Sequence, residues 1–159
     1  MKILTLTADN LDKLVEFEIQ ARATEGDVFL DKFDSESYTQ RILSALSNPH
    51  YASATCMMCE DSGSDVIGRI DFALLPSFAF GGELRAYIDW LYVLKTHRHK
   101  GAARFLLDSV VSHLRKLGVS DYFLITADNP DAQRFYRKLE HTEISRHDIL
   151  TGGIYDTNG

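Results

Sequence analysis

Residues 84–127 constrain this chain most. The run 84–94 is rich in Tyr, Ile, Trp and Val and reads as a strand. Lys95-Thr96-His97-Arg98-His99-Lys100 then makes a short basic loop. At Gly101 the pattern changes to a helical period, with Ala103, Leu106, Leu107, Val110, Leu114 and Leu117 on one face and Gly118 as the stop. Residues 122–127 are strand-like again. Two strands joined through a helix by short loops lie parallel in one sheet, with the helix as the crossover. An α/β chain follows.

The remaining elements fill out a mixed sheet. Residues 2–7 read as a short strand. Asp9 or Asn10 can cap a helix over 11–22, where Leu11, Leu14, Val15 and Ile19 recur at helical spacing. Ser35 precedes a second helix carrying Tyr38, Ile42, Leu43 and Leu46, stopped at Asn48-Pro49. Residues 51–60 and 65–75 are extended runs around the turn Asp61-Ser62-Gly63-Ser64, and a looser segment, 76–82, leads into 84–94. These three strands predict an antiparallel meander. A helix over 130–139, a last strand over 142–150 and a turn at Thr151-Gly152-Gly153 complete the order β-α-α-β-β-β-α-β-α-β. At 159 residues the chain fits one domain, 1–159.

Charge and cysteine usage exclude several functions. The net charge is −6, from 17 basic and 23 acidic residues, which argues against a nucleic-acid surface and is compatible with cationic small molecules. No apolar run approaches the roughly 20 residues that span a bilayer, and the N-terminus reads as a strand rather than a leader, so a cytoplasmic, non-membrane protein is expected. Cys56 and Cys59 form Cys-x-x-Cys, but three positions apart on a strand they face opposite sides, and no second pair completes a zinc site. Two reduced structural thiols and no metal are expected.

The chemistry lies in the loop. A helix N-terminus offers unpaired N–H groups and partial positive charge, which suit an anion. Gly101 and the small Ala102 and Ala103 admit close approach, and Arg98 and Lys100 add charge. A solvated basic turn is the plain alternative. Arg98-His99-Lys100-Gly101-Ala102-Ala103, with Val93 before it, resembles the Gln/Arg-x-x-Gly-x-Gly/Ala signature of the GNAT superfamily of N-acetyltransferases. Asn129, Ala132, Phe135, Tyr136 and Lys138 match that superfamily's second signature, Asn-x-x-Ala-x-x-Phe-Tyr-x-Lys-x-Gly-Phe. Glu140 and His141 depart from its final pair.

The resemblance implies a single GNAT-like domain, with a mixed, mostly antiparallel sheet, a splayed parallel central strand pair and about four helices. It implies acetyl-CoA as co-substrate, its pantetheine arm against the backbone of Leu91, Tyr92 and Val93. The N–H groups of His99, Lys100, Gly101, Ala102, Ala103 and Arg104 would cradle the diphosphate, and Asn129 would reach the cofactor from the other side. The implied reaction is direct attack on the thioester by a primary amine of a small molecule or peptide in a ternary complex. Asp89, where similar enzymes place a carboxylate or histidine, is the candidate base, with Tyr87 a lesser one sharing its face. Tyr136 is the candidate general acid.

Each assignment has a structural alternative. Asp89 can hold a substrate or loop at a strand edge, Tyr136 can be packed, and Asn129 can cap a helix at Pro130. By the resemblance, residues 20–38 and 76–86 set acceptor choice. Glu25, Asp27, Asp31, Asp34, Glu36 and Glu83, with Phe29, Phe33, Phe78 and Phe80, suit a polyamine, aminoglycoside or lysine-like amine; a solvated acidic surface is the alternative. An acyl-CoA-binding sensor without turnover is the competing function. A nucleotide-binding domain of another fold is disfavoured, since neither Gly-Lys-Ser/Thr nor Gly-x-Gly-x-x-Gly occurs. An uncovered sheet edge would allow a homodimer.

Overall fold

The computed structural model describes residues 1–25 and 32–145. They fall into two compact units, Met1–Ile125 and the segment from Thr126 on.

The first unit is a five-stranded sheet with helices on both faces. Its strands β1 (Lys2–Thr5), β2 (Ala54–Glu60), β3 (Val66–Ser77), β4 (Glu83–Val93) and β5 (Asp121–Leu124) lie in the order β1-β2-β3-β4-β5. All neighbours are antiparallel except β4 and β5, which are parallel. The meander and the parallel pair are those the sequence predicts. Helix α1 (Leu11–Thr24) packs on β3 and on α2 (Ser35–Ser47), while α3 (Ala102–Lys116) packs on β2, β3 and β4.

Two adjacent β3 residues define the layers. Gly68 faces α3: a Cβ there would stand 2.9 Å from Leu106 Cδ1. Arg69, pointing the other way by strand alternation, pairs with Glu18 of α1. The core fills both sides, with Leu14, Phe17 and Met58 fully buried on the α1 face and Leu106, Leu107 and Val110 under α3. Cys56 pairs in register with Asp71 and Cys59 with Gly68, so the thiols face opposite sides as expected. Both are free, and burial pushes both thiols upward in pKa.

Boundaries differ where local chemistry outweighs apolar pattern. Asn48 accepts from the His50 N–H at 2.9 Å and Pro49 starts a tight helical turn, so β2 begins at Ala54 rather than 51. Strand β5 ends at Leu124, and residues 125–127 leave the sheet. In the second unit α4 spans Pro130–Tyr136 and stops short of Leu139. The last turn tightens instead, Lys138 N–H donating to Phe135 and Leu139 N–H to Tyr136. Residues 142–145 are not extended strand, which corrects that part of the expected last strand; 146–150 and the turn at Thr151-Gly152-Gly153 lie outside the described residues.

Candidate active site

The parallel pairing of β4 with β5 runs from Arg85↔Asp121 to Ile88↔Leu124 and stops, while β4 continues to Val93. Beyond Ile88 the edge of β4 away from β3 has no strand beside it among the described residues.

A β-bulge lies at the same place. Phe72 of β3 pairs with Ile88 and Asp71 with Trp90, leaving Asp89 as the extra residue. The bulge turns the strand over. Ala86 and Ile88 are buried on the α3 side, whereas Trp90 and Tyr92 stack on each other, centroids 6.3 Å apart, on the α1 side. Asp89 is left exposed, with the Tyr87 phenol beside it. Burial pushes the Tyr87 pKa up, and the Asp89 carboxylate adds to the rise. Asp89 also lines a cleft of about 560 Å³ with Ile42, Leu46, Tyr51, Cys56 and Asp71. The Arg69 guanidinium holds Asp71 from Nε at 2.9–3.0 Å, so Asp89 is the carboxylate of that cleft facing water.

After Val93 the chain forms the expected loop. Residues Lys95–His97 make one tight turn, and His99 and Gly101 take left-handed conformations, φ 60° and 87°. Such residues turn successive N–H groups to one side. Phe105 N–H donates to the Gly101 carbonyl at 2.9 Å, so the N–H groups of Ala102, Ala103 and Arg104 precede the first such bond of α3. A Cβ at Gly101 would meet no atom of the described residues within 4 Å, its chain neighbours and own helix aside, so its backbone borders open space among them. Glycine is required there for its φ.

The loop's cations are not equivalent. Arg104 donates to Asp108 at 2.9 Å. Arg98 is held by Glu25 through Nη1 at 2.8 Å and through Nη2, and its Nε donates to the Val93 carbonyl at 3.0 Å. Lys100 donates to a neutral group, the Thr96 carbonyl at 3.0 Å, and has no carboxylate partner among the described residues. Sequence reasoning grouped Glu25 with acceptor-facing acids; the structure ties it to the loop. The pairing spans 73 residues, and no local pattern announces it.

The second unit carries the other two candidates. Asn129 Oδ1 accepts from Ala132 N–H at 2.9 Å and so caps α4. Tyr136 packs edge-on against Phe135 and lines an open recess with Thr126, Asp128, Gln133 and Arg137. Burial pushes its phenol pKa upward, which keeps the proton on. The positive φ of the closing turn falls on His141, at 59°, one position past the glycine of the usual motif. Among the described residues no cluster of His, Cys, Asp and Glu has the make-up of a metal site. No helix among them is long and apolar enough to cross a membrane.

A mixed sheet with one parallel pair, crossed over by a glycine-started helix, defines the α/β class of this chain. The chain belongs to the Acetyltransferase (GNAT) family, whose model matches residues 17–140. No curated protein matches it by sequence. Among solved structures it is similar to a probable acetyltransferase, at 18% identity and TM-score 0.78, covering 98% of this chain and 99% of that one. It is similar to a ribosomal-protein-alanine N-acetyltransferase from Brucella melitensis biovar Abortus 2308, at 18% identity and TM-score 0.70, covering 95% and 100%. An aminoglycoside acetyltransferase from an uncultured soil metagenomic sample, solved with sisomicin, is similar at 18% identity and TM-score 0.72, covering 96% of each. At such identities the likeness speaks for the fold, and the family match carries the class.

Proposed function

We propose that this chain transfers the acetyl group of acetyl-CoA to a primary amine by direct attack in a ternary complex. One observation carries the reading: β4 runs from Asp89 to Val93 beyond its last pairing with β5 and leads through the basic loop to the N–H groups that precede the first helical bond of α3. The residues present fit that carrier. A strand edge with no strand beside it among the described residues suits the amide-bearing pantetheine arm, which can pair with it as a missing strand would. The N–H groups of Ala102, Ala103 and Arg104, with Lys100 beside them, suit the diphosphate.

In this reading the β4 backbone from Leu91 to Val93 holds the arm and directs an N–H at the thioester oxygen, where negative charge develops. An acceptor ammonium loses its proton before attack, and Asp89 takes it through water, with Tyr87 fixing the carboxylate. Attack forms the new C–N bond, the C–S bond breaks, and the Tyr136 phenol supplies the proton that the leaving thiolate needs. Asp89 at the rim of the cleft supports a cationic acceptor with an apolar body. One relative by fold is named for an aminoglycoside and another for the alanine of a ribosomal protein, and both acceptors are amines.

Release of free thiol from acetyl-CoA across a panel of primary amines tests the proposal. Turnover with at least one amine, and a loss of kcat with little change in KM for Tyr136→Phe, is the expected result. Tight acetyl-CoA binding with no turnover on any amine and no response to Tyr136→Phe would identify a sensor instead.

A further inference from the structure

Arg98 stands at the position where the family motif invites a phosphate ligand, yet its guanidinium is committed elsewhere. Glu25, the residue closing α1, takes both terminal nitrogens. Tyr92 donates its hydroxyl to the same carboxylate, and the guanidinium carbon lies 5.3 Å from the centre of the Tyr92 ring. The Glu25 side chain is only 11% exposed.

The remaining nitrogen, Nε, meets the Val93 carbonyl. That carbonyl points to the open edge of β4, because the N–H of the same peptide, on Leu94, donates the other way to Ile67 of β3 at 2.9 Å. Arg98 thus closes the ladder at the last residue of the open edge. The end of α1, 73 residues away, meets the end of β4 and the loop that follows it in one charged bracket.

We propose that Glu25 and Arg98 form a positioning pair that fixes the open end of β4 for the carrier's thiol arm, and that Arg98 is not a ligand of the diphosphate. The proposal rests on the acetyl-CoA reading and assigns the phosphate charge to Lys100 and the helix-start amides. A phosphate ligand and a strut respond differently to a shortened carrier. Pantetheine has the arm without the diphosphate, so loss of a phosphate ligand leaves its binding unchanged, whereas loss of a strut weakens both.

Calorimetric affinities for CoA and for pantetheine, measured on wild type, Arg98→Ala, Glu25→Ala, Glu25→Gln, the Glu25→Ala/Arg98→Ala double variant and Lys100→Ala, make the test. Both single alanine variants should weaken CoA and pantetheine by the same factor, about tenfold, and the double variant should lose little more than either. Glu25→Gln keeps the shape and the hydrogen-bond acceptor, and should fall between wild type and Glu25→Ala. Lys100→Ala should weaken CoA alone. The pair is overturned if Arg98→Ala weakens only CoA, if Glu25→Ala leaves CoA binding intact or tighter, if the two losses add, or if wild type binds neither ligand. Wild-type turnover with acetyl-CoA and S-acetylpantetheine scores the enzyme reading separately, since binding judges the pair even where no amine is acetylated.

Discussion

At Gly101 two requirements coincide and can be separated. Its φ of 87° strains any side chain, by about 1–2 kcal/mol, while the space around it is open. Gly101→Ala should therefore fold with a modest drop in Tm, whereas Gly101→Glu should also fold but lose acetyl-CoA affinity roughly a hundredfold, through negative charge at a helix start that favours anions. Calorimetry and melting curves on both variants check this. The proposed role of Asp89 is tested by substitution to Asn, which keeps the bulge but removes the proposed base; kcat should fall roughly a hundredfold with the protein still binding acetyl-CoA. Glu25 carries a pH signature. Burial alone would raise its pKa, but the hydrogen bonds from Arg98 and Tyr92 hold it below the usual carboxylate range. Its contribution to stability is complete above the unfolded value, about 4.3, and is lost as pH falls through the lower folded value. Glu25→Gln should be less stable at neutral pH, and its Tm should fall less than that of wild type on acidification from about pH 5 to about pH 3.

Among the elements, the pairing of α3 with β3 depends on a residue with no side chain. Gly68 lets Leu106, fully buried, approach the sheet; an added Cβ would lie 2.9 Å from Leu106, 3.2 Å from Val93 and 3.3 Å from the Tyr92 carbonyl. Gly68→Val should lower stability by about 1–3 kcal/mol, read as a shift in denaturant midpoint, because the core is already filled. That close approach is not legible in the sequence, where Gly68 is one glycine in a strand-like run. The period of α3 was legible, since its apolar face repeats over four turns, and so was the Asn129-Pro130 start of α4, where cap and first-turn residue stand together. The bulge at Asp89 was hidden. Alternation predicts one face for Ile88 and Trp90, and only the register against β3 reveals that the strand turns over between them.

For the molecule as a whole, the strand–loop–helix–strand order specified the parallel pair, and the two signatures specified the family. How far β4 outruns β5 did not follow from pattern, because 125–127 read as strand-like by composition while pairing ends at Leu124. The charge distribution shows the same division. The basic loop was evident, yet its partition into Arg98 bound by Glu25, Arg104 bound by Asp108 and Lys100 on the Thr96 carbonyl needed three dimensions. In the proposed reading the open edge of β4 and the first amides of α3 together receive the acyl carrier. Amide hydrogen exchange with and without acetyl-CoA measures this residue by residue. Carrier binding should slow exchange at Leu91 and Val93, whose amides face the open edge, and across residues 99–104, with the paired stretch of β2 unchanged. Binding of acetyl-CoA with protection elsewhere and none in those two segments would contradict it.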